Sequence, residues 1–298
     1  MGRPARFAAL LCFAALALAG PAARAGAQAL SEAGYIEDFD AAAELYQLTR
    51  GDETRAVAML GIVLTGDIIT ITDPRGRLSL RLNDRADPVI LTRDRSPYTI
   101  SEPPNARGFS SGLLSWIGNE FDLMDRTRKQ RFAANIRGGG GKFAAPILRR
   151  PQTLGAGSRV LTIEWQGAKP VDVALRARAG GRPLAGGQGV EGRWTSPPVT
   201  LAPGDYALTL KSSDGTTAGN ALTVSAPGDL PVIPADLKRS EIPAPLRIVA
   251  QAAWLASQGD GAFQLEALQM LSPLRGKFAA ADTLAEALAE DRPPRPPP

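Results

Sequence analysis

The chain has 298 residues, with 34 Lys and Arg against 30 Asp and Glu, no histidine and a single cysteine, Cys12. Without histidine, neither a Ser-His-Asp nor a Cys-His catalytic site can be built, and zinc and copper lose their usual nitrogen ligand. We therefore expect no catalytic, cofactor-binding or metal-binding residues and a protein that is not an enzyme. An enzyme that uses carboxylates alone is the remaining alternative.

Residues 1–27 have the pattern of a secretory signal peptide. Arg3 and Arg6 precede the apolar segment Phe7–Ala19, and Ala25–Ala27 offers a small-residue cleavage site. The apolar segment is shorter than the roughly 20 residues that span a bilayer, although an uncleaved anchor is the alternative. Cleavage removes three of the 34 basic residues and leaves 31 against 30 acidic ones, so the charge gives no argument for a nucleic-acid partner. We expect a periplasmic protein without a transmembrane segment after signal removal.

Two short strands are predicted to open the mature chain. They cover Gly34–Phe39 and Glu44–Thr49 and are joined by a turn. The alternative is a helix over Phe39–Leu48, because the alanine-rich middle of this segment has good helix propensity. We favour the strands.

Glu37, Asp38 and Asp40 cluster at the end of the first of these strands. Because side chains alternate along a strand, Asp38 and Asp40 are predicted to share one face, and Glu37 to point the opposite way. Paired carboxylates hydrolyse glycosides in some enzymes. Here, neither an apolar environment that would raise one pKa nor a second acidic cluster accompanies them, so we predict a solvated edge or turn.

The segment Gly66–Ile100 carries the clearest strand pattern. A Gly-Asp turn precedes the apolar strand Ile68–Thr72, and Asp73–Gly76 forms a second turn. Strict alternation follows, with one face apolar (Leu78, Leu80 and Leu82) and the other polar (Arg77, Ser79 and Arg81). We take Arg77 and Arg81, on the outward face, as candidate interaction residues.

The order of these pieces resembles the FecR-type periplasmic domain, with its Gly-Asp turn, its G-x-L-x-L-x-L-x-D strand and a later short strand at Pro97–Ile100. The resemblance covers about residues 33–102 and implies a β domain, assigned here to residues 28–104, that senses or binds and does not catalyse. FecR proteins relay a signal from an outer-membrane receptor to a sigma factor. This chain has no cytoplasmic segment ahead of its signal peptide, so we expect a soluble partner of a membrane-bound sensor.

Residues 105–144 are predicted to form an amphipathic helix and a linker. Apolar residues recur at mostly helical spacing over Ser111–Arg128, and the basic end of this helix suits its dipole; contact with a membrane surface or an acidic partner is the alternative. Gly138–Lys142 superficially suggests a phosphate-binding loop, but Ile136 and Phe143 stand where that motif needs Gly and Ser or Thr. We predict a glycine-rich hinge.

A second β module is predicted over residues 145–227. Alternating apolar residues face one way on three strands (Leu161, Ile163 and Trp165; Val171, Val173 and Leu175; Tyr206, Leu208 and Leu210). The buried tryptophan on an early strand and the motif L-x-P-G-x-Y-x-L-x-L at Leu201–Leu210 resemble bacterial immunoglobulin-like and fibronectin-type-III-like sandwiches. That resemblance implies a corner role for Tyr206 at the start of a late strand.

Residues 228–298 are predicted to form a proline-rich connector, a small helical hairpin and a proline-rich tail. Apolar stripes at helical spacing begin at Leu246 and Phe263, and a shorter one begins at Leu284. The hairpin is a docking or capping element. Pro293–Pro298 is predicted to be an exposed polyproline-II tail, and binding of this tail to an aromatic groove is the alternative.

Trp194 and Arg193 complete the candidate interaction residues. Trp194 follows Gly192 and Arg193 near a turn and is expected to be partly exposed, where its ring could stack on a sugar or hold a partner. Trp165 and Trp254 lie on predicted core faces.

The chain is thus predicted to be mainly β, with a FecR-like β domain, an immunoglobulin-like β-sandwich, a helical linker and a small helical C-terminal region. The expected function is a non-enzymatic periplasmic binding or scaffold protein, a soluble accessory of an envelope sensor or signalling system. Its expected partner is a membrane sensor or receptor. The alternative is a peptidoglycan- or polysaccharide-binding envelope protein with a glycan ligand.

Overall fold

A computed structural model describes residues 31–40, 42–83, 85, 87–101, 116–121, 124, 143–167, 169–240 and 242–297. The predicted signal peptide, the glycine-rich linker and most of the amphipathic helix lie outside these residues. Within them, strands in several sheets precede a helical C-terminal region, and the predicted mainly β fold class is confirmed.

Two four-stranded antiparallel sheets enclose the first core. One contains β1 (Glu32–Phe39), β4 (Ile62–Leu64), β6 (Arg77–Leu82) and β7 (Val89–Thr92), in the order β4-β1-β6-β7. The other contains β2 (Tyr46–Arg50), β3 (Glu53–Ala56), β5 (Ile68–Ile71) and β8 (Tyr98–Thr99), in the order β3-β2-β5-β8. Apolar residues from both sheets form one buried cluster, to which β6 contributes its leucines as predicted (Leu78, Leu80 and Leu82).

The two opening strands do form, and the alternative helix does not. Between them lies a single 3-10 turn, Ala43–Leu45. They do not pair with each other, because β1 pairs with β4 and β6 whereas β2 pairs with β3 and β5. The strands joined by the predicted turn therefore belong to different sheets, and the hairpin in this part of the chain is β2–β3, which turns at Gly51 with a φ of +57°.

Nine further strands build the second β unit. They are β9 (Gln152–Gly155), β10 (Gly157–Arg159), β11 (Thr162–Glu164), β12 (Val171–Ala177), β13 (Ala185–Val190), β14 (Arg193–Thr195), β15 (Val199–Leu201), β16 (Gly204–Ser212) and β17 (Thr217–Ser225). Five of them form a sheet in the order β13-β12-β16-β17-β9, in which β9 runs parallel to β17. The pairs β10–β15 and β11–β14 contribute to the same core, and this unit is a sandwich.

The predicted inward faces of this sandwich are confirmed by burial. Every residue of the three alternating sets is at most 8% exposed (Leu161, Ile163 and Trp165; Val171, Val173 and Leu175; Tyr206, Leu208 and Leu210). The Tyr206 hydroxyl donates a hydrogen bond to the Ala202 carbonyl oxygen at 2.8 Å. This bond ties the start of β16 back to the preceding turn, which is the corner role predicted for Tyr206.

Three helices follow the sandwich, one at each of the three apolar stripes predicted in this region. They are α2 (Ala244–Ala256), α3 (Gln264–Leu271) and α4 (Ala279–Ala289). An earlier helix, α1, is described at residues 116–121 and 124. The apolar faces of all four helices join the core of the sandwich, and part of the first β unit reaches the same core (Tyr35, Met59 and Leu60).

The C-terminal tail is less exposed than predicted. Pro294 is buried, and the backbone of Arg295 forms hydrogen bonds with Trp116 and Glu120 of α1. The expectation of a fully exposed tail is wrong because α1, which is remote in sequence, supplies a tryptophan and a carboxylate at this point.

Candidate binding cleft

A cleft of about 520 Å³ lies between the first β unit and the segment that leads into α4. Its walls come from β1, β6, β7 and residues 277–279 (Glu37, Asp38, Phe39, Asp40, Arg77, Ser79, Arg81, Pro88, Ile90, Lys277, Phe278 and Ala279). The cleft therefore joins parts of the chain that are some 200 residues apart. It combines three acidic and three basic side chains with an apolar floor.

Strand alternation determines which side chains of β6 line the cleft. Because Leu78, Leu80 and Leu82 point into the core, Arg77, Ser79 and Arg81 emerge together on the outer face of the sheet. Arg77 and Arg81, both singled out from the sequence, are thus brought into one site.

A β-bulge places the acidic residues of β1 differently from the prediction. The register between β1 and β6 shifts between Ile36 and Asp38, so Glu37 is an extra residue in the ladder. As a result Glu37, Asp38 and Asp40 all line the cleft, and the prediction that Glu37 points the opposite way is wrong. The bulge resets the two-residue alternation on which that prediction relied.

Glu37 and Arg81 form an ion pair across β1 and β6. The Arg81 Nη2 lies 2.7 Å from Glu37 Oε1, and the Ser79 hydroxyl donates to Glu37 Oε2 at 2.9 Å. Both carboxylate oxygens of Glu37 are therefore engaged. This pair fixes the position of the Arg81 guanidinium on the cleft wall.

Asp40 is held by a buried tyrosine. The Tyr46 hydroxyl donates to Asp40 Oδ1 at 2.6 Å, and the Arg77 backbone N–H donates to the same oxygen at 2.9 Å. The hydrogen bond from Tyr46 lowers the pKa of Asp40 below its usual range. Burial, together with the hydrogen bond to Asp40, raises the pKa of Tyr46 to about 12. Asp40 is consequently an ionised anchor for the start of β6, and the lowered pKa makes it a poor proton donor.

Replacing Tyr46 with phenylalanine tests this anchor. We expect Tyr46→Phe to lower the free energy of unfolding by about 1 kcal/mol at pH 7, because a buried donor to a carboxylate is lost. Since the Asp40 pKa is lower in the folded chain than in the unfolded one, its stabilisation is complete above about pH 4 and is lost as the pH falls through the folded pKa. Urea unfolding of both chains at pH 7, 5 and 3 should therefore show a difference that shrinks at pH 3. A difference independent of pH would contradict this account.

Two cations of the cleft remain available to a ligand. Arg77 and Lys277 are both exposed, and in the described part of the chain neither forms an ion pair within 4 Å, although the charge of Arg77 contributes to the lowered pKa of Asp40. Among the described residues, the Lys277 Nζ donates to the Pro273 carbonyl oxygen, at 3.2 Å. Phe278, by contrast, is buried and closes the apolar side of the cleft. The arrangement suits a ligand that carries a carboxylate or another anionic group next to an apolar surface.

Arg193 and Trp194, the other two predicted interaction residues, do not reach this cleft. They lie on β14, where Trp194 pairs with Ile163 of β11. Trp194 is 4% exposed, so the expectation of an exposed ring is wrong. The indole occupies space left by Gly187, whose Cα would place a side chain within 3 Å of the ring. Arg193 is exposed, and its guanidinium lies 3.8 Å from the Glu164 carboxylate.

Sequence reasoning missed Lys277 and Phe278 as cleft residues. Both follow a turn between two helices, and neither carries a motif that associates it with β6. Tyr46 was also missed as the partner of Asp40, although the two residues lie only six positions apart. Among the residues that the structure describes, no group of three or more His, Cys, Asp and Glu is placed to hold a metal ion. No helix in that part of the chain is long and apolar enough to cross a membrane.

Comparisons with known proteins give no family. No protein-family model matches the chain, and no curated protein matches it. The FecR-like resemblance of residues 33–102 therefore rests on its motifs alone.

Solved structures match about a third of the chain. CopC from Methylosinus trichosporium OB3b is 17% identical, with a TM-score of 0.21, over 31% of this chain and 97% of its own. A chain of the ZIG-8 IG1 homodimer is 14% identical, with a TM-score of 0.21, over 34% and 99%. A chain of Dpr1 IG1 bound to DIP-eta IG1 is 16% identical, with a TM-score of 0.20, over 28% and 94%. Two of the three carry the name IG1, but likenesses this slight carry no argument, and the description of the sandwich rests on its own strands.

Proposed function

We propose that the chain is a non-enzymatic periplasmic binding protein, an accessory of an envelope sensor or receptor that it contacts through the cleft. The FecR-like motif order of the first β unit supports this class of function. The observation that carries the proposal is the cleft itself, where Arg77 and Lys277 stand exposed on opposite chain segments beside an apolar floor.

The charges of the cleft indicate what kind of surface binds there. Glu37 and Asp40 are already engaged, by Arg81 and Tyr46 respectively. Asp38 and Asp40 balance the charges of Arg77 and Lys277 over the cleft as a whole, so a partner would meet these two cations with acidic side chains at their own positions rather than through a net field. A glycan ligand loses its main support in this chain, because the Trp194 ring is buried.

In-cell photocrosslinking tests the proposal at the level of single residues. A photoreactive amino acid at Ile90, inside the cleft, should yield one dominant crosslinked membrane sensor or receptor, identified by mass spectrometry. The same amino acid at Lys211, exposed on β16 of the sandwich, serves as the control position and should not yield that partner. Crosslinks to the same protein from both positions, or retention of glycan strands without a protein partner, would contradict the proposal.

Charge reversal tests the role of the two cations. We expect Arg77→Glu with Lys277→Glu to lower the crosslinking yield from Ile90 about tenfold, since like charges now face the acidic partner. The matched control, Arg178→Glu with Lys211→Glu, makes the same change of net charge at exposed positions of the sandwich and should leave the yield unchanged. Equal losses in both double variants would show that net charge, and not the cleft, sets the yield.

A further inference from the structure

Helix α1 holds the C-terminal tail through both backbone polar groups of one residue. The Trp116 indole N–H donates to the Arg295 carbonyl oxygen at 3.0 Å, and the Arg295 backbone N–H donates to Glu120 Oε2 at 2.9 Å. Trp116 and Glu120 are four residues apart, so they lie on one face of the helix, one turn from each other. Ile117 and Phe121, each one residue further along the same helix, belong to the hydrophobic core.

The chemistry of the tail makes this contact selective. Five of the last six residues are proline, and proline has no backbone N–H. Arg295 therefore carries the only amide hydrogen of the tail, and Glu120 accepts it. Trp116 is 7% exposed, and Pro294, the residue before Arg295, is also buried. Aromatic side chains that bond the carbonyls of a pre-extended proline segment are a recurring way to recognise such segments.

The path of the tail from α4 is also fixed. Asp291, two residues after α4, has a φ of +59°, and its Oδ1 accepts a hydrogen bond from Gln264 Nε2 at 2.9 Å. The same oxygen lies 3.2 Å from the Arg150 guanidinium. Arg292 then pairs with Glu290 at 2.6 Å. Because the residues before the tail are already held, seating Pro294 and Arg295 on α1 orders few further residues.

We infer that the face of α1 with Trp116 and Glu120 is a binding surface for proline-rich segments, occupied in cis by the C-terminus of this chain. A segment that binds this surface has, between prolines, one residue that is not proline, whose backbone N–H and C=O bond to Glu120 and Trp116. This surface shares no residue with the cleft, so the inference does not depend on the proposed function. Release of the tail opens the surface to a second segment of the same chemistry.

Hydrogen exchange in the full chain tests the contact directly. The Arg295 amide should exchange at least tenfold more slowly than the same residue in an unstructured peptide, as measured by NMR on the arginine-labelled protein. Glu120→Ala removes its acceptor and should abolish this protection. Glu191→Ala, at an exposed glutamate of the sandwich, is the matched control and should preserve it.

Binding in trans tests the surface. A synthetic peptide with the sequence of residues 290–298 should bind a chain that ends at Arg292 at least tenfold more tightly than it binds the full chain, because the tethered tail competes at high effective concentration. The removed residues belong to no described helix or strand, and circular dichroism checks the fold of the shortened chain. Trp116→Phe in the shortened chain should weaken the peptide about fivefold through loss of the indole donor. Equal affinity for both chains, or an Arg295 amide that exchanges at the unstructured rate, overturns the inference.

Discussion

Replacing Asp67 with alanine is expected to lower the free energy of unfolding by about 2 kcal/mol, because a buried carboxylate that accepts three hydrogen bonds is lost while its partner Arg50, 29% exposed, can be partly hydrated. Asp67 is 1% exposed and follows Gly66 in the turn before β5. Arg50, at the end of β2, donates from Nε to Asp67 Oδ1 at 2.9 Å and from Nη2 to Oδ2 at 2.7 Å. The Leu64 backbone N–H also donates to Oδ2, at 2.8 Å.

This carboxylate links the two sheets of the first β unit. Leu64 ends β4 in one sheet, whereas Arg50 ends β2 in the other, and Arg50 Nη2 also donates to the Ile62 carbonyl oxygen of β4 at 3.0 Å. The hydrogen bonds from Arg50 to Asp67 raise the pKa of Arg50. Without Asp67 the guanidinium still stays charged, because arginine is protonated at any pH at which the chain folds. The alanine variant therefore leaves a charge and a backbone donor without their acceptor.

Urea unfolding followed by circular dichroism measures the loss. Asp52→Ala, at an exposed aspartate in the β2–β3 turn, is the matched control and should change stability by less than about 0.5 kcal/mol. The double variant Arg50→Ala with Asp67→Ala should lose less stability than the sum of the two single variants. Each single change leaves one member of the ion pair without its partner, and the double change removes both members. If Asp67→Ala lowered the free energy of unfolding by less than about 1 kcal/mol, water would have to accept the hydrogen bonds that the carboxylate accepts.

Local alternation was sufficient to predict the buried faces. On β6, each leucine is two residues from the next, and a strand must place all three on one side. The same pattern was present on β14, where Arg193 and Thr195 are exposed and Trp194 between them is buried. The prediction of an exposed Trp194 gave more weight to the nearby turn than to this alternation, and it failed for that reason.

Pairing between remote strands was not predictable from local pattern. The bulge at Glu37 exists only because β1 pairs with β6 in a shifted register, and its effect is to place three carboxylates together on the cleft wall. Lys277 and Phe278 reach that wall because α4 packs beside β1, a contact that no motif in either segment encodes. The sequence thus predicted Arg77 and Arg81 as interaction residues of the cleft, whereas Lys277 and Phe278 reach it only through tertiary packing.

Glu266 joins the C-terminal helices to the sandwich, and its replacement with alanine is expected to cost about 3 kcal/mol. This residue of α3 is 9% exposed and forms an ion pair with Arg159 of β10. Its Oε2 also accepts a hydrogen bond from the Gly155 backbone N–H at 3.1 Å. The alanine variant leaves a buried backbone donor and most of a guanidinium without an acceptor.

Two further polar contacts between α3 and the sandwich accompany the ion pair of Glu266 with Arg159. Gln152 Oε1 accepts from the Leu265 N–H at 2.9 Å, and the Thr162 N–H donates to Gln269 Oε1 at 2.7 Å. These bonds keep the helix in register on β9 and β11, so loss of Glu266 should loosen the helices before the sandwich unfolds. In a background with Trp116→Phe and Trp254→Phe, the remaining tryptophans, Trp165 and Trp194, both report on the sandwich. In that background circular dichroism at 222 nm should report a lower urea midpoint than tryptophan fluorescence for Glu266→Ala, whereas the two midpoints coincide without that change.

Two controls separate the ion pair from a general loss of helix. Glu266→Gln keeps the size of the side chain and an oxygen acceptor for Gly155 but removes the charge, and it should cost less than alanine does. Glu191→Ala removes an exposed glutamate of the sandwich and should leave both midpoints in place. Coincident midpoints in Glu266→Ala, with an unfolding free energy within about 1 kcal/mol of the unaltered chain, would show that apolar packing alone holds α3 on the sandwich. Since α4 packs on α3 and brings Phe278 to the cleft, a separated transition would also predict weaker crosslinking from Ile90 in this variant.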